Sequence, residues 1–487
     1  MKKLKYSILF CFTLCIGLTS CEDFETDLNV AYKENPSDET LQSDPTAIVA
    51  SASGLLNNWF LTTHNYDGPG MAMATMADVF TCSWGNAGMR DLSSEPRVAF
   101  NNQSSYGNAF INETYFNALY SVLSDANAVV GSAQENPELF DEPEMITCIG
   151  KFSQALSLGY LALVYDQVWV YDETGSYNEG NSINPKEAME FALMKLDEAI
   201  AIADANSFTL PDSWIPGETY TNTKLSKVMN SFGARMLTMN ARNSSDRDAT
   251  DWNRVLAYAN DGVTEDFAPL ADDITWYDLV KTYLIYPGWA RIDLYVINMM
   301  DTNTPAYWPS GETVLPESTS ADARLKTDFE YLTSQDFVAA RGTYHYSSYR
   351  YSRYDDYIST WTTTMPELLK AENDLYKAEA MLRLGNLSGA ASIINAGTRT
   401  TRGELPNIGA SAQEIASAIH YERLVEMPLT GAGLDFFEMR KENLLQEGTL
   451  LHFPVPGAAL DAIPADYYTF GGTTGVAGED YSDTGWR

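Results

Sequence analysis

The chain has 487 residues, 45% of them apolar and 12% aromatic, and its 66 acidic side chains outnumber 31 Lys and Arg to give a formal charge of −35. A balance this negative repels nucleic acid and anionic lipid, and excludes both as partners held over a broad surface. So large an apolar share can fill a sizeable core, and five cysteines in this length exclude a disulfide-dense scaffold.

The amino terminus reads as a signal for secretion and anchoring. Lys2, Lys3 and Lys5 precede an apolar run over 6–17, too short to span a bilayer but suited to the core of a signal peptide. Leu18-Thr19-Ser20-Cys21 then matches a bacterial lipobox, in which small residues admit the processing peptidase and the cysteine thiol takes a diacylglyceryl group. Residues 1–20 are therefore read as the signal peptide, with Cys21 as the lipidation site and first mature residue. Each buried acyl methylene contributes about 0.8 kcal/mol, so a multiply acylated cysteine holds a protein on a membrane without a transmembrane helix. Cleavage removes three lysines and no acid, taking the formal charge from −35 to −38. Cys11 and Cys15 leave with the signal, and Cys82 and Cys148 remain as one disulfide or two buried thiols.

Residues 21–45 are polar and acidic, with a loop signal at Asn35-Pro36-Ser37-Asp38, and form a tether that extends by about 3.3 Å per residue. No second long apolar segment follows, so one globular body on a tether is expected. From residue 46 helical periodicity dominates, with helices predicted over 48–61, 115–130 and 152–165. The segment 185–205 is amphipathic, with Asn184 placed to cap it and Met189, Leu193, Leu196 and Ile200 on one face. Helices over 224–240 and 252–262 pair as a hairpin of the tetratricopeptide kind, with Ser231, Gly233, Ala234 and Ala241 at the close contacts. Between 266 and 365 the helical signals give way to Pro, Gly, Tyr and Trp, so this insertion should be irregular with short strands, and a natural place for specificity.

Beyond it, Leu368, Glu372, Leu375, Glu379 and Leu382 recur at helical spacing and Gly385-Asn386 turns the chain back. Ala378, Gly385 and Ala390 stand where two antiparallel helices would approach closely. The next helix carries Glu422, Arg423 and Glu426, and the chain runs on through Gly433 to Phe437, Glu438 and Arg440. That order, with the signal and lipobox, resembles the SusD/RagB family of nutrient-binding surface lipoproteins of Bacteroidetes. It departs from the family pattern by two residues if Gly433 is the family glycine, and Thr430, Ala432 and Asp435 stand where Glu-Gly-x-Arg is commoner. On their own terms these charged residues read as a buried helix-end ion cluster that fixes the last helix pair.

The resemblance implies a mostly α fold of degenerate tetratricopeptide-like hairpins, with long irregular insertions and a few short strands. It divides the body into an N-terminal helical region over 46–265 and a C-terminal region over 266–487. It further implies a non-enzymatic lipoprotein on the outer face of the outer membrane that captures oligosaccharide for a SusC-like TonB-dependent transporter. The acidic run 22–27 is similar to the surface-export signals of such lipoproteins. Some relatives handle peptides, and a surface polysaccharide hydrolase is the rival from another class.

Catalytic signatures are scarce. The four histidines, His64, His345, His420 and His452, lack metal-type spacing, and neither a phosphate loop nor a Gly-x-Ser-x-Gly elbow is present. No cofactor and no metal centre are expected. A pyranose offers an apolar C–H face and a hydroxyl rim, so its site needs flat aromatics beside planar polar groups. Trp84 lies in a glycine-flanked loop with Asn86 and Arg90 close by, and is either a stacking platform or a core residue. A second aromatic group contains Tyr286, Trp289 and Trp308. A third, from Tyr344 to Tyr357 with Arg341, Arg350 and Arg353, reads as a packing ladder.

Overall fold

The computed structural model describes residues 44–82, 85–309, 311–333, 346–474, 478 and 480–486. The signal peptide, Cys21 and nearly all of the tether lie outside the described residues. The body from Pro45 onward is one unit built on ten principal helices. They are α1 (Pro45–Thr63), α2 (Phe110–Glu135), α3 (Pro143–Val164), α4 (Pro185–Ala205), α5 (Asn222–Met239), α6 (Trp252–Asn260), α7 (Lys370–Arg383), α8 (Leu387–Ala396), α9 (Ala412–Glu426) and α10 (Leu434–Lys441). Among the described residues, no helix is long and apolar enough to cross a membrane.

Helix α3 is the hub. It is buried without interruption from Met145 to Val164, the condition of a helix that is apolar around most of its circumference. Helices α1, α2, α4 and α5 pack around it. Its longest polar side chains find partners: Lys151 Nζ meets Glu173 and Glu198, both at 2.6 Å, and Gln154 Nε2 donates to Asn127 Oδ1 at 2.7 Å. Cys148 on the same helix is a free thiol, donating to Ala199 O at 3.4 Å, and burial pushes it up to about 12.

The predicted hairpins are present. Asn184 accepts from Glu187 N at 3.0 Å and Pro185 opens α4, so that helix starts where its cap and proline require. Helices α5 and α6 touch closely at Gly233, where a Cβ would stand 2.9 Å from the Tyr258 ring. Ala378 and Ala390 are fully buried between α7 and α8, in a small satellite core with Leu375, Leu382 and Ile415. Of the two roles expected of Gly385, the structure keeps the turn and not the close approach. A Cβ there would meet nothing, and its φ of +82° shows that it serves the left-handed turn between α7 and α8, not their approach.

The charged motif of the last helices is an internal lock. Arg423 reaches Glu379 at 2.6 Å and Glu438 at 2.7 Å, and Lys441 reaches the same two at 3.0 and 3.2 Å. Burial raises Glu379, but Arg423 and Lys441 outweigh it and bring it down to about 2. Arg324 joins Glu422 at 2.7 Å and Glu426 at 3.1 Å. Arg440 donates to the carbonyls of Leu163, Met239 and Ala241, so it closes the C-terminal ends of α3 and α5.

Strands are few and short: β1 (Phe80–Cys82), β2 (Tyr171–Asp172), β3 (Gly175–Ser176), β4 (Ala290–Ile292), β5 (Phe329–Tyr331) and β6 (Tyr349–Tyr351). β1 pairs antiparallel with β4, β2 with β3, and β5 with β6. A bridge from Asp293 to Tyr346 brings the segment that becomes β6 alongside β4. The insertion is thus irregular, as its composition suggests, but pinned by strand pairs and by short helices such as Leu279–Ile285. The tyrosine ladder is mostly packing, since Tyr349, Tyr351, Tyr354 and Tyr357 are buried.

Candidate functional site

The short helix Leu279–Ile285 ends at the sequence Tyr286-Pro287-Gly288-Trp289. Trp289 N donates to Tyr286 O at 3.0 Å across Gly288, whose φ is +83°. This is a type II turn, with proline presetting the second position and glycine supplying the left-handed third. It sets the two flanking aromatics together, with ring centres 5.0 Å apart. Tyr283, one helical turn earlier, adds a third ring 4.8 Å from Trp289. Tyr286 keeps 40% and Trp289 38% of its surface exposed, an unusual condition for side chains of such apolar area.

Both arms of the turn are held. Asp278 caps the incoming helix by accepting from Lys281 N at 2.6 Å. Arg350 Nη1 donates to Ile285 O at 3.1 Å, satisfying a carbonyl at that helix's end. The outgoing arm enters β4, where Ala290, Arg291 and Ile292 pair with Cys82, Thr81 and Phe80.

Trp308 belongs to a second platform. Its ring stacks on Tyr346 at 4.4 Å and 29°, and its Nε1 donates to Glu312 O at 3.1 Å. Tyr346 is buried and bridged to Asp293, four residues along the strand from Trp289, or roughly 13 Å at the usual rise. The structure therefore brings Tyr286 and Trp289 into one cluster and sets Trp308 apart from it. Asp301 closes the base of the loop that carries Tyr307 and Trp308. It accepts from Asn303 N at 3.0 Å, Ser318 Oγ at 3.1 Å, and Thr319 N and Oγ1 at 2.6 and 2.9 Å. The Asn303 amide foremost, with the Thr319 and Ser318 donors, pulls this carboxyl down to about 2.

Trp84 lies outside the described residues. Cys82, two residues before it, is the strand partner of Ala290, next to Trp289. Asn86 is exposed, and its carbonyl accepts from Met89 N at 3.0 Å. Arg90, also exposed, turns to Asp91 at 3.6 Å, and Asp91 accepts from Tyr106 OH at 2.5 Å. Residue types alone did not reveal Asp301 or the support that Tyr346 gives Trp308. The Pro-Gly pair between Tyr286 and Trp289 was the available signal for a rigid, aromatic-bearing turn.

The architecture is that of a helical-hairpin body whose loop-rich insertion presents rigid aromatics. No protein-family model matches the chain, and no curated protein matches it. Solved structures do. A SusD superfamily protein from Bacteroides vulgatus superposes with a TM-score of 0.59 at 12% identity, covering 87% of this chain and 98% of that one. Surface glycan-binding protein A from Bacteroides uniformis gives 0.58 at 13% identity, covering 88% and 99%. A SusD-like carbohydrate binding protein from Bacteroides vulgatus gives 0.53 at 14% identity, covering 81% and 83%. The protein has the SusD fold.

Proposed function

We propose that this protein is a cell-surface lipoprotein that captures oligosaccharide and passes it to a SusC-like TonB-dependent transporter of the outer membrane. The observation that carries the reading is the exposed pair Tyr286 and Trp289, held on a rigid Pro-Gly turn within a SusD fold. An apolar sugar face stacks on such rings while the hydroxyl rim seeks planar polar groups. Trp308 supplies the second platform. Trp84, Asn86 and Arg90, in the segment that follows β1 in the sequence, are proposed as further ligand contacts. Two structures of the same fold are named for glycan or carbohydrate binding, and both support this ligand class. The lipobox at Cys21 supports the anchor.

Isothermal titration of the mature chain, with Cys21 removed, against a panel of neutral and acidic glycans tests the reading. Binding to at least one glycan without release of reducing ends is expected. Binding only to peptides, or depolymerisation of the bound glycan, overturns it. In cells, Cys21→Ala should leave the membrane fraction, and mild-detergent extraction of the wild type should recover a complex with an outer-membrane barrel protein.

A further inference from the structure

An open groove of about 490 Å³ is lined by residues that also hold the supports of the two aromatic platforms. Two contacts fix its place. Arg350, in its wall, donates to Ile285 O at 3.1 Å, the residue before Tyr286. Ser318, at its lip, donates to Asp301 Oδ2 at 3.1 Å, at the base of the Trp308 loop. The groove is therefore attached to the supports of both platforms.

Its floor is set before any ligand arrives. Tyr331 OH donates to Leu315 O at 2.9 Å and Tyr349 OH accepts from Ser318 N at 2.8 Å, so both tyrosines are tied in place. Such preorganisation lowers the ordering cost of binding. Its walls offer carboxylate acceptors from Glu317, Glu330 and Asp355 against two cations, Lys326 and Arg350. Arg350 pairs with Asp355 at 2.5 Å and with Glu330, which engages part of both carboxylates, so Glu317 and the remaining lone pairs of Glu330 and Asp355 are the acceptors left to a ligand. The groove is thus rich in hydrogen-bond acceptors and carries a net negative charge on a strongly acidic protein. Hydroxyls suit it, and anionic chains are repelled.

We propose that the groove binds the continuing residues of the chain whose other rings sit on the platforms, so that the ligand is an extended, neutral oligosaccharide. This rests on the proposed glycan-binding function. The geometry predicts that affinity grows with chain length beyond what the platforms supply, and that the increment depends on the groove.

Calorimetry with malto-, cello-, xylo- and manno-oligosaccharides of two to eight units, and with oligogalacturonides of matched length, tests this. For the neutral ladder that binds, hexamers should bind at least about tenfold tighter than trimers, and oligogalacturonides should bind more weakly than neutral chains of equal length. Ser320→Tyr, which fills the groove, should bring hexamer affinity down to that of the trimer and leave the trimer unchanged. Lys326→Ala, at an exposed position, should weaken hexamers severalfold and spare trimers, and serves if the larger substitution perturbs folding. A flat length profile in the wild type, equal losses on both lengths in Lys326→Ala, or preference for oligogalacturonides overturns the groove proposal while glycan binding stands. Absence of binding to every ladder overturns the glycan reading and the groove with it.

Discussion

The locked end of α9 and α10 and the Tyr286-Pro287-Gly288-Trp289 turn hold the most suggestive side chains in the molecule, and they use them in opposite ways. At the lock, Glu422, Arg423, Glu426, Glu438 and Arg440 are each at most 5% exposed and each makes an ion pair or hydrogen bond within the protein. At the turn, two large rings are held rigidly and left 40% and 38% exposed. Groups that find all their partners inside stabilise the fold. Rigid aromatic groups that keep an exposed face offer a surface on which a flat apolar ligand can stack.

The largest effect that tests this contrast is on stability. Arg423→Ala removes the cation shared by Glu379 and Glu438 and leaves Lys441 between them, with Arg383 on Glu379 and His420 on Glu438 at the edges, and breaking a buried charge set of this kind costs about 3–5 kcal/mol. Urea unfolding should show a loss of that order, while the folded variant binds glycan as the wild type does. A loss below about 1 kcal/mol would mean that the cluster is hydrated and behaves as a surface pair.

Trp289→Ala should do the reverse. Truncating a stacking anchor costs at least about 2 kcal/mol of binding, or about thirtyfold in affinity. A ring already 38% exposed leaves little core behind, so the thermal midpoint should stay nearly fixed. Trp84→Ala is expected to match it. If that variant instead lowers the midpoint by many degrees and spares affinity, Trp84 is a core residue and the site rests on Tyr286, Trp289 and Trp308.

Local chemistry explains what could be read in advance. The bounds of α4 were legible because Asn184 and Pro185 mark its start unambiguously. Helix α3 begins at Pro143, nine residues before the first residue assigned from periodicity. Gly150 lowers helix propensity there, and its role is a close approach to α2, where a Cβ would stand 2.5 Å from Val130. The fold class was carried by the resemblance and by small residues at hairpin contacts. The site was legible as residue types but not as an arrangement. The pairing of β1 with β4 joins segments far apart in the chain, and no local pattern announces that register. Asp301 was hidden for the same reason, since its meaning lies in donors from two ends of one loop.

A smaller effect separates the platforms. Asp301→Asn keeps the shape of the clamp but loses the charge-assisted acceptance of five donors. The Trp308 loop should loosen, with a loss of about three- to fivefold in glycan affinity. Asp301→Asn and Trp289→Ala should combine additively if the two platforms hold different rings of the ligand, since sites without shared partners add. Strong non-additivity would show that Trp289 and Trp308 act on one ring of the ligand.

The smallest expected effects concern two buried histidines whose pH dependences oppose each other. His64 lies 2.9 Å from Glu367 and 4.0 Å from Asp278, with Lys281 beside them. Burial lowers its pKa, but the two carboxylates more than offset this and raise it above the ordinary 6.5. Its contribution to stability is therefore complete below about pH 6.5 and is lost as pH rises through the higher folded value. His452 is held far below 6.5, first by burial and then by the charges of Arg242 and Arg440, with Asp480 3.7 Å away. Its contribution is complete above about pH 6.5 and fades as pH falls toward the depressed folded value. Urea midpoints of the wild type, His64→Gln and His452→Gln between about pH 5 and pH 9 resolve the two. The wild-type advantage over His64→Gln should shrink with rising pH above 6.5, and the advantage over His452→Gln should shrink with falling pH below it. Slopes of the same sign in both comparisons would show that the carboxylates around His64 do not outweigh its burial.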